Sequence, residues 1–305
     1  MNLAPDFLRG SYPPLITPFL NGAVDVAKFA ELVERQVREG SHGILVTGTT
    51  GEPSSLTTGE RNTLVRTAVE VTACRVPVVA ATGSQSYAET LELTAAAEDA
   101  GADAVLVVTP YYIRPSQQGL VEYFCAVGER TALPLMIYHI PGRAAVSVTA
   151  ATVEKIAARR PNLVGIKQAV NDLELASELL LHLGPDFRVF CGLEALSLPM
   201  LAVGAAGLMN AAGNLAPARI AQLCDEVRNG NLGAARRLHF ELFELNQAIF
   251  LDTNPIPLKY MMSRLGLLES PELRLPLVPL DEPRRKVLDE VLWRAGLFQA
   301  QSVEG

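Results

Sequence analysis

The chain has 305 residues, 49% of them hydrophobic and 19% charged, enough for one large domain or a barrel with an appendage. Its net charge of −7, with no basic block or basic–aromatic interleaving, argues against a nucleic-acid partner, and no apolar stretch is long enough to span a bilayer. Met1-Asn2-Leu3-Ala4-Pro5-Asp6 lacks the basic start and apolar core of a signal peptide; Cys74, Cys125, Cys191 and Cys224 show neither metal-like nor redox spacing, and the four histidines are scattered, so a cytoplasmic protein with reduced thiols and no metal cluster is expected.

In chain order, Tyr12-Pro13-Pro14-Leu15-Ile16-Thr17-Pro18 reads as a proline-broken first strand. A helix is expected over 25–39, with Asp25 as its N-cap. A second strand, 43–46, runs into Gly48-Thr49-Thr50-Gly51-Glu52, and a helix follows over 58–71. Strands at 77–81, 104–108, 134–138 and 163–167 alternate with helices at 86–100, 116–131 and 149–158. A seventh strand, 187–190, precedes a turn at Gly192; the eighth, 207–209, ends in Met209 before Asn210. Eight apolar runs alternating with helices at roughly 25–30-residue spacing predict a (β/α)8 barrel, with a doubly wound sheet as the rival. The count of eight, and polar residues after many different strands rather than at one switch point, favour the barrel. From about residue 218 the pattern turns helical, with runs at 219–228 and 232–250 and more helix towards Leu297. We therefore expect a barrel over 1–230 and a C-terminal helical domain over 231–305.

Lysine usage points to chemistry. Of the five lysines, Lys28, Lys155, Lys259 and Lys286 fall in expected helices, and only Lys167 closes a β-like apolar run. A charge is costly there unless something uses or neutralises it, and a neutral amine is the form that adds to a carbonyl. The bland alternative is an ordinary rim lysine. The hydroxyls and backbone N–H groups of Gly48-Thr49-Thr50-Gly51-Glu52 could hold a carboxylate, or the segment could simply be a tight turn with a helix cap; it is not a P-loop. Tyr111, Tyr112 and Tyr138 follow or end strands, as a catalytic or a packing tyrosine would. Arg143, behind Pro141-Gly142, suits a carboxylate ligand if it is not a plain surface arginine. In a barrel all these strand-end residues converge on one face.

Taken together, Gly48-Thr49-Thr50-Gly51-Glu52, Pro110-Tyr111-Tyr112, Tyr138 with Pro141-Gly142-Arg143, Gly165-Ile166-Lys167 and Asn254-Pro255-Ile256-Pro257 resemble the dihydrodipicolinate synthase / N-acetylneuraminate lyase family over nearly the whole chain. The resemblance implies a Schiff-base-forming class I aldolase that uses pyruvate and an aldehyde, with no cofactor beyond a covalent imine between Lys167 and pyruvate. It implies Tyr138 as proton shuttle, and a relay of Thr49, Tyr138 and Tyr112 in which one tyrosine crosses a tight dimer interface. Thr49 and Thr50 would hold the pyruvate carboxylate, Arg143 the second substrate's carboxylate, and Gly192 and Met209 would also contact substrate. The implied assembly is a homotetramer built as a dimer of dimers.

Arg143 favours the synthase branch, with L-aspartate semialdehyde as second substrate. Several positions depart from that branch: His139 for Asn, Ala144-Ala145 for Thr-Gly, Gln168 for Glu, and Cys191-Gly192-Leu193-Glu194 for Ser-Gly-Asp-Asp. An apolar Leu193 on the second-substrate side keeps open a catabolic aldolase or hydro-lyase acting on a 2-oxo acid with a distal carboxylate. A non-catalytic ligand-binding member is the alternative of another class. The family's lysine feedback site matches at Glu89 and Tyr111 but not at Pro53, Thr58 and Arg61.

Overall fold

Strand residues alternate between two environments, and that alternation sets the architecture. In a computed structural model describing Met1 and residues 3–298, Leu45, Val79, Leu106 and Met136 point into a cluster with Tyr12, Tyr138 and Phe190. Their chain neighbours Ile44, Val78, Val105 and Leu135 face outwards, against helical Leu64, Phe124, Ile156 and Leu179. Strands buried on both faces are what a parallel sheet wrapped in helices requires.

Eight parallel strands form the sheet: β1 (Gly10–Ser11), β2 (Ile44–Val46), β3 (Val78–Ala81), β4 (Ala104–Val108), β5 (Leu135–His139), β6 (Leu163–Gln168), β7 (Arg188–Cys191) and β8 (Gly207–Leu208). Their order, β1-β8-β7-β6-β5-β4-β3-β2, closes on itself where Pro14 bridges Leu45. At that seam the Leu15 N–H donates to Leu45 O (2.9 Å) and the Leu45 N–H to Pro13 O (3.0 Å). The chain is a (β/α)8 barrel. The first strand lies upstream of the expected 12–18 because prolines have no N–H to donate; the bonds to β8 come instead from the N–H groups of Gly10 and Tyr12, to Ala206 O and Leu208 O.

The barrel helices are α1 (Val26–Arg38), α2 (Thr58–Thr72), α3 (Tyr87–Asp99), α4 (Gln117–Gly128), α5 (Ala150–Arg159), α6 (Leu173–Leu183), α7 (Ser197–Ala202) and α8 (Pro217–Arg228). Asp25 caps α1 through the Lys28 N–H, and Thr57 with Glu60 forms a capping box on α2. The chain continues as α9 (Leu232–Glu241), α10 (Phe243–Ala248), α11 (Ile256–Arg264) and α12 (Glu282–Arg294); the single run expected over 232–250 divides at Leu242. Leu238, Leu245, Ile256 and Leu292 join the outer barrel core, so the late helices are packed against the barrel rather than tethered to it. No described helix is long and apolar enough to cross a membrane.

Candidate active site

The register of β5 on β6 pairs Tyr138 with Lys167, and both are buried. Lys167 Nζ lies 4.4 Å from the centroid of the Tyr138 ring, a cation–π distance for the ammonium form. The Tyr138 hydroxyl is 3.3 Å from Thr49 Oγ1, which joins two of the expected relay groups. Gly192 serves the lysine directly: a Cβ there would stand 2.6 Å from Lys167 Cε, so a side chain at 192 would force the lysine out of place.

A second lysine, Lys259 on α11, is equally buried, and comparing the two is informative. Lys259 is paired with Glu52 at 2.5 Å, with both side chains essentially inaccessible. It also donates to Glu272 O (2.8 Å) and lies 4.0 Å from the Phe19 ring centroid. Among the described residues, Lys167 has no carboxylate within salt-bridge distance. The nearby acid is Glu194, whose Oε1 accepts from the Ala211 N–H at 2.6 Å. Burial pushes the Glu194 carboxyl up to about 7, against the lowering effect of backbone N–H groups and of the Lys167 charge.

The loop after β2 is tightly constrained. Thr47 adopts φ +57°, a left-handed conformation costly for a β-branched residue, with its hydroxyl 2.7 Å from Val46 O and 2.9 Å from Ala81 O. Thr49–Gly51 forms a single 3-10 turn, and the Thr17 hydroxyl donates to Gly51 O (2.7 Å). Glu52, also left-handed, ends the loop on Lys259. Thr50 Oγ1 accepts from Asn254 Nδ2 at 3.0 Å. Arg143, on the short turn Pro141–Ala144, donates from Nη2 to the main-chain oxygen of the same Asn254 (3.2 Å).

Above these residues opens a cavity of about 630 Å³, whose lining includes Thr49, Tyr138, Arg143, Asn254, Arg61 and Glu89. Of the expected site residues, Thr49, Tyr138 and Arg143 line it. Thr50, Lys167 and Met209 are buried and, with Gly192, do not form part of the lining. Met209 belongs to the inner barrel cluster. Tyr112 stands apart: it is 85% exposed at φ +72°, and the single chain does not bring it to Tyr138. At the feedback positions, Arg61 is buried and donates to Ala81 O (3.0 Å), while Glu89 bonds Ser84.

Two of the departures have a simple geometry. The Nδ1–H of His139 donates to Gln168 Oε1 (2.6 Å), and the Gln168 Nε2 donates to Asp172 O (3.2 Å). Burial lowers the imidazole below its usual range, so it is neutral. The pair sits one residue beyond Tyr138 and Lys167 and does not line the cavity. Leu193 is likewise absent from the lining. Sequence reasoning gave no role to Asn254, Glu52, Lys259 or Glu194. Asn254 and Glu52 did fall inside two of the five motifs that carry the resemblance.

Comparison with known proteins gives the family. The model of the Dihydrodipicolinate synthetase family matches residues 7–295. A 4-hydroxy-tetrahydrodipicolinate synthase of Thermus thermophilus is 47% identical, over 95% of this chain and 97% of its own. The crystal structure of dihydrodipicolinate synthase from Aquifex aeolicus superposes with a TM-score of 0.93 at 39% identity, covering 95% of this chain and 98% of that one. A structure described as the first monomeric dihydrodipicolinate synthase variant gives 0.93 at 37% identity, covering 96% and 98%. The chain belongs to the dihydrodipicolinate synthetase family.

Proposed function

We propose that this protein is a 4-hydroxy-tetrahydrodipicolinate synthase, condensing pyruvate with L-aspartate semialdehyde through an imine on Lys167. The observation that carries the reading is a buried lysine with no carboxylate partner among the described residues, 4.4 Å from a tyrosine ring whose hydroxyl meets Thr49. The neutral amine adds to the pyruvate ketone, and loss of water leaves the imine. Tyr138 gives its proton to the departing hydroxyl; the protonated imine then withdraws electrons, so a methyl proton leaves to the Tyr138 oxygen and an enamine forms. The enamine carbon attacks the aldehyde carbon, and the new alkoxide takes a proton back through Tyr138 and Thr49. The amino group of the second substrate then displaces Lys167 from the imine carbon, closing the ring and freeing the enzyme. Thr49 and Thr50 hold the pyruvate carboxylate, and Arg143 the distal carboxylate.

We further propose a homotetramer, a dimer of dimers, in which Tyr112 completes the relay of a partner's site. Its 85% exposure and that of Ile113, 61%, support this, as unburied apolar surface at one loop calls for a cover. Sedimentation gives the assembly, and a monomer with full activity would overturn it.

Borohydride reduction in the presence of pyruvate tests the chemistry. We expect one reduced adduct by intact mass, mapped to Lys167 and lost in Lys167→Arg, because a guanidinium is never neutral in a protein. No adduct, or an adduct on Lys155 or Lys259, refutes the proposal. The rival that Leu193 keeps open in the sequence is a catabolic aldolase, although Leu193 does not line the cavity. An aldehyde panel separates the two: a synthase prefers aspartate semialdehyde over its analogue lacking the amino group, and a catabolic aldolase does not.

A further inference from the structure

Asn254 reaches the barrel mouth from the segment between α10 and α11, far along the chain from the loop it touches. Its side-chain amide donates to Thr50 Oγ1 at 3.0 Å, and both residues are buried. Its main-chain oxygen accepts from Arg143 Nη2 at 3.2 Å. Five residues further on, α11 holds Glu52 through Lys259. The Gly48–Glu52 loop is therefore held at two points, by α11 and by the segment that leads into it, and Asn254 is fixed by a bond on its side chain and another on its main chain.

A threonine hydroxyl has one proton to give and lone pairs to receive with. An amide NH2 only donates. When it occupies a lone pair of Thr50 Oγ1, the hydroxyl proton is not spent on Asn254. We propose that Asn254 is a positioning residue: it leaves the Thr50 proton for the carboxylate of pyruvate and, through its main-chain oxygen, holds Arg143 for the carboxylate of the second substrate. The late helices thus set the polarity of the first carboxylate site and anchor the second. This rests on the reading that Thr50 binds the pyruvate carboxylate.

The test is steady-state kinetics of the full-length enzyme, with Asn254→Asp as the main variant. The substitution keeps the shape but replaces the donor with an acceptor. Thr50 then donates to the new carboxylate and turns a lone pair towards pyruvate. The KM for pyruvate should rise by about ten- to a hundredfold, the scale of a lost charge-assisted hydrogen bond. The kcat at saturating pyruvate should fall by less than about threefold, since the reacting groups are untouched. Asn254→Ser, uncharged and smaller, should raise the same KM by a few fold and serves if the aspartate variant does not fold.

Thr50→Val separates this idea from the reading beneath it. If Thr50→Val raises the pyruvate KM but both Asn254 variants stay within about twofold of the parent, the assignment of Asn254 fails alone. If Thr50→Val itself leaves the pyruvate KM unchanged, the carboxylate role of Thr50 fails and takes the proposal with it. A fall in kcat with unchanged KM in both Asn254 variants indicates packing only and also overturns it. Support requires one further result: Asn254→Asp adds little to the KM effect of Thr50→Val in the double variant.

Discussion

Replacing Lys259 with methionine tests how the Gly48–Glu52 loop is held. The side chains of Lys259 and Glu52 are 1% and 0% exposed, and the ion pair is 2.5 Å long. Methionine matches the aliphatic stem but leaves the Glu52 carboxylate with only the Arg274 N–H, at a long 3.5 Å. Removing one partner of a fully buried pair costs about 3–5 kcal/mol, because the remaining charge is uncompensated. Burial already raises the Glu52 carboxyl, and the Lys259 charge is the largest influence opposing it. Without Lys259 that carboxyl rises further. A raised carboxyl contributes stability below its ordinary range, and that contribution is lost as pH rises through the folded-state value. The deficit of Lys259→Met should therefore be largest at pH 7–8 and shrink near pH 4. Urea unfolding at both pH values, followed by circular dichroism, measures it. The double variant Lys259→Met/Glu52→Gln removes the orphan charge and should recover most of the loss. A deficit below about 1 kcal/mol at pH 7.5, or no recovery in the double variant, would refute the claim that the pair braces the loop.

Tyr138→Phe removes one hydroxyl and little volume, so turnover should fall by roughly a hundredfold or more with stability little changed; near-normal turnover would show that another group carries the protons. Arg143→Ala should leave borohydride-trapped pyruvate adduct formation nearly intact while weakening any aldehyde with a distal carboxylate by about ten- to a hundredfold. Equal loss for an aldehyde without the carboxylate would make the arginine structural. For Glu194, a carboxyl raised from the ordinary 4.5 to about 7 contributes stability that is present below about pH 4.5 and lost as pH rises through 7, a difference of about 3 kcal/mol. Glu194→Gln should flatten that part of the stability–pH curve, and an unchanged slope between pH 4.5 and 8 would show that other groups set it.

Lys167 and Tyr138 were legible because each closes an apolar run; alternation from Met136 turns Tyr138 into the barrel, whereas Lys167 comes beside it only after an irregularity in the β5–β6 register. The strand count was legible for the same reason: the runs are buried on two sides and bounded by helical segments. The first strand was displaced because the apolar 12–18 segment looks like a strand while its prolines withhold the donors a ladder needs. Asn254 and Lys259 could not be read as site residues. Their partners lie about 200 positions away, and a lysine on a helix has the same local pattern whether it ends in water or on a buried glutamate. His139 and Gln168 looked like separate departures near the substrate; the backbone register makes them neighbours that satisfy each other away from the cavity.

The grip of α11 on the loop has a consequence in time. Thr50 and Asn254 are separated by 204 residues. At synthesis rates of about 5–20 residues per second, the loop leaves the ribosome some 10–40 s before the asparagine that orients it and the lysine that neutralises Glu52. During that interval Glu52 lacks Lys259, its buried partner in the folded chain. The buried placement of the Gly48–Glu52 loop is therefore completed only by residues 254–259, late in the chain, which couples the barrel mouth to the arrival of the C-terminal helices.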